Sequence, residues 1–206
     1  MEPDAVEIRV VAALVEKQRT TPDQYPLTLN SLRLACNQST NRDPVVDYDE
    51  ATIRSALDRL GQRKWTTLAS WNTARSVKYK HVFDQALRLD DAQLAVLTVL
   101  MLRGPQTAGE LRQRTERIHR FGAGEELDAT LGELIERELA ERLSRQPGER
   151  GQRFAHRLGE GEAGGDGEDD AEAPPPPAAE TRLERLEREV AELREQIRAL
   201  RSDLGA

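Results

Sequence analysis

Residues 47–83 have the sequence DYDEATIRSALDRLGQRKWTTLASWNTARSVKYKHVF. Along this stretch the spacing of the apolar residues changes from that of a helix to the alternation of a strand. Asp47 and Glu50 have the spacing of a capping box, and apolar residues then recur at helical spacing, which predicts a helix. From Trp65 onward apolar and polar residues alternate, which predicts two strands around a turn near Asn72. The apolar stripe of the helix consists of Ile53, Leu57 and Leu60.

Two more helices are predicted upstream of this one. The first has a single apolar face, and the second is short, with Thr28 in the position of an N-cap residue. Their apolar positions are Ile8, Val11, Leu14 and Val15 in the first helix and Leu29, Leu32 and Ala35 in the second.

The same order of predicted elements returns in residues 90–158. Two capping-box pairs, Asp90 with Gln93 and Thr107 with Glu110, begin its first two helices, and two short strands flank a turn at Pro147 and Gly148. The register matches the first copy at an offset of 79 and then, after a shorter loop, of 74. The matched pairs are Thr28 with Thr107, Leu32 with Leu111, Ile53 with Leu127, Leu57 with Leu131, Leu60 with Leu134 and Trp65 with Leu139.

Three helices followed by a two-stranded wing form a winged helix, and here the pattern occurs twice. The predicted fold class is therefore α+β, mainly α with small β wings. We expect one winged-helix domain over residues 1–89 and a second over residues 90–158.

Residues 159–179 contain only Gly, Pro, Ala and acidic residues, with seven acids and no Lys or Arg. Such a segment has no apolar surface to bury, so we expect a disordered, self-repelling linker. A plain spacer is the simplest interpretation, and an acidic competitor for a basic face is the alternative. The net charge of −7 is concentrated here, so it does not argue against nucleic-acid binding by the rest of the chain.

Residues 180–206 contain apolar residues spaced alternately three and four apart, which predicts a coiled-coil helix. β-Branched residues at two central a positions, with Leu at every d position, favour a parallel homodimer. The alternative is an amphipathic helix that packs on its own chain. The predicted dimerisation residues are Leu183, Leu186, Val190, Leu193, Ile197, Leu200 and Leu204.

Composition predicts a cytoplasmic protein with no membrane span. Cys36 is the only cysteine, which fits a reducing compartment, and no apolar run approaches the roughly 18 residues of a span. The N-terminal residues lack the layout of a secretory signal.

The stretches EKQRTTPDQYPLTLNSLRLACNQSTNR, residues 16–42, and MLRGPQTAGELRQR, residues 101–114, resemble the YceH family of bacterial proteins. The ending PGERGQRFAHRL, residues 147–158, is similar to the closing wing of that family. The resemblance covers roughly residues 5–158 and implies two winged-helix domains. It implies no particular biochemical role.

Duplex DNA is the partner predicted for the third helix and wing of the first copy, because cations gathered on such a face bind phosphates and bases. Asp58 and Glu50 reduce the net positive charge of this face. The alternative to DNA binding is that the face is only a solvated surface. The candidate DNA-binding residues are Arg54, Arg59, Arg63, Lys64, Arg75, Lys78 and Lys80. The third helix of the second copy is acidic, so that copy either meets DNA through an unusual face or binds protein, and a protein partner is favoured.

A polar cluster lies in the stretch that carries the family resemblance. Its amides and aromatic hydroxyl could form a ligand or peptide site, or could instead cap helices and hold the long loop. This signature cluster consists of Lys17, Gln18, Tyr25, Asn30, Asn37, Gln38, Asn41 and Arg42.

No catalytic motif, metal site or cofactor is predicted, and Cys36 is interpreted as a small core residue. Two non-enzymatic functions remain. One is a dimeric DNA-binding transcriptional regulator, and the other is a protein-interaction adaptor that binds no DNA.

Overall fold

Each half of the folded chain begins with a long helix that an aspartate caps at its N-terminus, Asp4 in the first half and Asp90 in the second.

The computed structural model describes residues 2–69, 77–122, 124–144 and 151–159. All of them belong to the first of two units, which spans residues 1–164. The turn residue Asn72, the candidate Arg75, the turn at Pro147 and Gly148, residues 160–179 of the predicted linker and the whole predicted coil lie outside the described residues.

The first half, called the first repeat, contains helices, three strands and a closing short helix. Its elements are α1 (Ala5–Thr20), a 3₁₀ turn (Pro22–Gln24), β1 (Leu27–Thr28), α2 (Leu29–Cys36), α3 (Glu50–Gln62), β2 (Thr66–Ala69), β3 (Lys78–His81) and α4 (Phe83–Leu87).

The second repeat follows the same order without the 3₁₀ turn and the closing helix. Its elements are α5 (Asp91–Arg103), β4 (Gln106–Thr107), α6 (Ala108–Thr115), α7 (Gly124–Glu136), β5 (Ala140–Arg142) and β6 (Arg153–His156). The chain is therefore α+β, mainly helical with small antiparallel sheets, as predicted.

Two small antiparallel sheets have the same strand order. The third strand of each repeat is central, giving the orders β1-β3-β2 and β4-β6-β5. The first strand of each sheet pairs through only two residues, for example Leu27 with Tyr79 and Gln106 with Phe154. Strands of two residues show no alternation, so the sequence predicted two strands in each repeat rather than three.

The two repeats also agree at the level of single hydrogen bonds. Lys64 and Glu138, at the matched offset of 74, both have left-handed backbone conformations, with φ of 59° and 57°. The next residue in each case, Trp65 or Leu139, donates its N–H to the last core leucine of the preceding helix, at 3.0 and 2.9 Å. Glycine adopts this conformation without steric strain from a Cβ atom. Lys64 and Glu138 each have a Cβ, so each lowers the free energy of unfolding by about 1–2 kcal/mol at this position.

Most of the predicted helix starts are confirmed. Both capping boxes, at Asp90 and Gln93 and at Thr107 and Glu110, are formed, and the Thr28 hydroxyl caps α2. The capping box predicted at Asp47 and Glu50 is wrong. Asp49 caps α3 instead, accepting from the Thr52 N–H at 2.8 Å, because the helix begins at the very next residue.

The hydrophobic core is continuous between the repeats because α1 packs directly against α5. Each of these helices is buried on all sides over about ten residues, from Glu7 to Val15 and from Gln93 to Leu102. A helical segment that is buried on all sides must be enclosed by protein, and here each one is covered partly by its own repeat and partly by the other. Among the described residues, no helix is long and apolar enough to cross a membrane.

Leu97→Ala tests the contribution of this shared core. Leu97 is fully buried on α5, so we expect the free energy of unfolding in urea to fall by about 2–5 kcal/mol. The matched control is Leu34→Ala on α2, where the side chain is 56% exposed and the expected change is within about 0.5 kcal/mol. Equal effects of the two substitutions would contradict this description of the core.

Candidate functional site

Two of the candidate DNA-binding arginines lie against carboxylates at the start of α1, one from its N-cap residue Asp4 and one from Glu7 in its first turn. Arg59 on α3 contacts Asp4 at 2.5 Å and Glu7 at 3.2 Å, and Arg63 contacts Glu7 at 3.0 Å. Burial would raise the pKa of Glu7, but the Asp4 N–H and the two guanidinium groups outweigh it and hold that pKa below its usual value. Arg59 and Arg63 therefore fasten α3 to the start of α1, and their charge is largely balanced within the fold.

The remaining candidates are more open to solvent. Arg54, Lys64 and Lys80 are exposed, and Lys78 is partly exposed. Sheet register places Lys80 opposite Thr67 and Lys78 opposite Ala69, so the two lysines share one face of the sheet. Carboxylates accompany them around the start and middle of α3, as the sequence indicated. The exposed acids there are Asp47, Asp49, Glu50 and Asp58.

Part of the signature cluster holds the central strand of the first sheet. The Gln18 amide oxygen lies 2.5 Å from Nε2 of His81, and the Tyr25 hydroxyl accepts from the His81 backbone N–H at 2.7 Å. Burial lowers the pKa of His81 to about 4, so the ring is neutral at pH 7. Burial also raises the pKa of Tyr25, which keeps the phenol protonated. These two cluster residues therefore connect α1 and the following turn to β3.

Arg42 holds the long loop that follows α2. Its side chain is fully buried and forms a two-pronged ion pair with Glu16, at 3.1 and 2.6 Å. It also donates to the Ala35 carbonyl and to the Gln38 amide oxygen. Removing one partner of a buried pair typically costs about 3–5 kcal/mol, because the other charge is left without compensation. Arg42 is thus a structural residue of the loop.

Asn37 and Asn30 make local contacts. The Asn37 side chain donates to the Tyr48 carbonyl at 2.8 Å and accepts from the Tyr48 N–H at 3.0 Å, which closes the loop before α3. Asn30 accepts from Arg33 one helical turn later. The contacts of Asn37 are those of the loop-holding alternative, whereas Asn30 contacts its own helix.

Cys36 lies at the end of α2 with no exposed surface. Burial raises the pKa of its thiol to about 12, so it is protonated at neutral pH and packs as a small apolar residue. Within the described residues, no three His, Cys, Asp or Glu side chains are grouped as metal ligands.

The other three cluster residues, Lys17, Gln38 and Asn41, line a cleft whose second wall, from the other repeat, sequence reasoning did not predict. The cleft has a volume of about 680 Å³ and lies between the repeats. From the second repeat it is lined by Arg103 at the end of α5 and by α6 and the residues after it, including Arg114 and Arg117. We call it the inter-repeat cleft. Both stretches that carry the family resemblance, residues 16–42 and 101–114, contribute to its walls, which is the one signal that could have indicated it.

The acidic surface of the second repeat is largely solvated. Among the acids of α7, Glu133 accepts from the Gln93 amide at 2.8 Å and Glu126 accepts from the Gly122 N–H at 2.7 Å. That backbone hydrogen bond lowers the pKa of Glu126. The exposed acids on this helix and just after it are Glu125, Glu126, Asp128, Glu133, Glu136 and Glu138. A phosphate backbone would be repelled from this helix.

Comparison with known proteins identifies the family of this chain. The family model described as "Protein of unknown function, DUF480" matches residues 4–149. A UPF0502 protein of Opitutus terrae is 46% identical over 92% of this chain and 82% of its own length. The UPF0502 protein YceH of Escherichia fergusonii is 43% identical over 99% of this chain and 98% of its own length. The chain therefore belongs to the DUF480 family of UPF0502 proteins, the YceH family that its sequence resembles.

Proposed function

We propose that this chain is a non-enzymatic protein of two tandem winged-helix domains that binds duplex DNA through α3 and the β2–β3 wing of the first repeat. The order of elements supports the winged-helix assignment. In each repeat the third helix is followed by two strands that pair antiparallel, with the shared hydrogen bonds from the N–H groups of Trp65 and Leu139. We retain 1–89 and 90–158 as the domain bounds.

The exposed face of α3 is the observation that carries the DNA-binding proposal. A recognition helix must present its outer side to the major groove without another element covering it. Arg54, Ser55 and Gln62 are exposed on α3, and Arg and Gln are residue types that read base edges through paired hydrogen bonds. Lys64 and Lys80 add positive charge from the end of the helix and from the wing. Arg59 and Arg63 would act as supports of the helix instead of as contacts.

A protein-interaction adaptor is the second candidate, and two features of the surface favour it. Four exposed carboxylates surround the start and middle of α3, which weakens attraction to phosphate. Two large apolar side chains near this helix are also more than half exposed, Leu34 on α2 and Val45 in the following loop. Exposed apolar residues of this kind are common at protein-docking surfaces.

Charge reversal on the exposed cations separates the two candidates. The triple variant Arg54→Glu, Lys64→Glu and Lys80→Glu should weaken binding of a 30-base-pair duplex at least about tenfold at low salt, measured by fluorescence anisotropy. It should also reduce the slope of log K against log salt by about two to three, since each phosphate contact contributes roughly 0.9. The matched control, with the same change in charge, is Arg88→Glu, Arg142→Glu and Arg157→Glu. If the wild-type chain does not bind the duplex, or if both variants lose equal affinity, the DNA-binding proposal is wrong.

We further propose that the protein is a homodimer joined through residues 180–206. Light scattering of the full chain should give twice the chain mass of 23.1 kDa. Leu193→Asp places a charge at a d position of the heptad and should produce monomers, because a buried unpaired carboxylate opposes coil association. Ala191→Asp adds the same charge at an outer b position and should leave the dimer intact. A wild-type monomer, or a Leu193→Asp dimer, would contradict the assignment.

A further inference from the structure

The inter-repeat cleft presents hydrogen-bond donors in excess of acceptors. The Gln38 amide oxygen accepts from Arg42 at 2.9 Å, and the Asn41 amide oxygen accepts from Arg103. With its oxygen engaged in this way, each amide has its NH₂ group available to a ligand. A side-chain amide with no other partner can donate to a ligand or accept from it equally well. Here Arg42 and Arg103 occupy the amide oxygens, so Gln38 and Asn41 are left mainly as donors.

The one carboxylate contributed by α1 to the cleft is already neutralised. Both oxygens of Glu16 accept from Arg42, and Lys17 lies 3.7 Å from the same carboxylate. Glu16 therefore offers little repulsion to an anion, and its ion pairs fix the positions of Lys17 and Arg42. Its neighbour Thr20 donates its hydroxyl to the Glu16 carbonyl.

Positive charge exceeds negative charge around the cleft. The walls and their direct ion-pair partners contain five cations and three carboxylates, an excess of two positive charges. The cations are Lys17, Arg42, Arg103, Arg114 and Arg117, and the carboxylates are Glu16, Glu110 and Glu116. Burial and the neighbouring cations Arg114 and Arg42 lower the pKa of the Arg103 guanidinium.

We propose that the inter-repeat cleft binds a small organic phosphate monoester. A monoester carries a charge of about −1.5 to −2 at neutral pH, which matches the excess of positive charge, and has several oxygens that accept hydrogen bonds. The volume of about 680 Å³ lies within the range of small-molecule sites, roughly 300–1,000 Å³. Val99, Leu102 and Ile118 line the cleft as well and would contact the organic part of the ligand. Ligand contacts would then span both repeats.

This site is separate from the α3 face, so the proposal does not depend on DNA binding. The cleft draws on α1, the loop after α2, α5 and α6, and shares no residue with the candidate DNA contacts. The same phosphate chemistry could come from a nucleic-acid backbone, and the experiment must therefore include duplex DNA as a competing source.

The test uses the full chain, with inorganic phosphate and adenosine monophosphate as the probes and a 30-base-pair DNA duplex as the competing source of phosphate. Each of the two probes should raise the midpoint of thermal unfolding and give a saturable calorimetric titration, whereas chloride at equal ionic strength should do neither. Arg117→Gln removes an exposed cation of the cleft that has no ion-pair partner among the described residues, and it should lower the affinity for both probes at least about tenfold. Arg120→Gln, an exposed arginine nearby that does not line the cleft, is the matched control and should bind both probes like the wild type.

Three results would overturn the proposal. The first is an equal response of the protein to phosphate and to chloride. The second is an equal affinity of Arg117→Gln and the wild type for the probes. The third is that the protein binds duplex DNA but neither probe, and that Arg117→Gln weakens this DNA binding at least about tenfold. The charge-reversed α3 variant should still bind both probes, so failure of the DNA-binding proposal would leave this one standing.

Discussion

The packing of α1 against α5 is the contact on which the rest of this structure depends. Both helices are buried around their whole circumference, and neither repeat has enough of its own surface to enclose its first helix. Val10 to Val15 and Leu94 to Leu102 would expose a broad apolar face if the repeats separated, at roughly 1.5–3 kcal/mol for each large side chain. This contact also brings residues 16–42 near residues 101–114, and so creates the inter-repeat cleft.

Five arginines of the described residues differ in their partners and in their burial. Arg42, Arg59 and Arg63 are bound to Glu16, Asp4 and Glu7 and stabilise the loop and α3. Arg54 and Arg117 are exposed and have no ion-pair partner among the described residues. A guanidinium group held by a carboxylate has little left to offer a phosphate, since its charge is compensated and its donors are occupied. Arg54 for DNA and Arg117 for a small anion are therefore the arginines on which substitution should have the largest effect on binding.

Hydrophobic period and capping residues were sufficient to predict six of the seven α-helices in the described residues, the repeated order of elements and the α+β class. The family resemblance was sufficient to predict the family. The two-residue strands β1 and β4 and the short helix α4 gave no periodic signal, and Asp49 was missed because Asp47 has the standard capping-box spacing to Glu50. Sequence could name Arg59 and Arg63 as cations on α3 but could not show that they contact Asp4 and Glu7, more than fifty positions away. The wall that the second repeat contributes to the cleft was missed for the same reason, because the two walls meet only through the tertiary contact of α1 with α5.

Native-state hydrogen exchange measured along α1 and α5 tests the shared core most directly. If the core joins both repeats, the central amides of α1 and α5 should exchange only through global unfolding, with the same free energy and the same dependence on denaturant. The amides of Val11 and Leu97, each fully buried, are the natural pair to compare. A large difference between them, with one repeat opening while the other stays protected, would contradict the account.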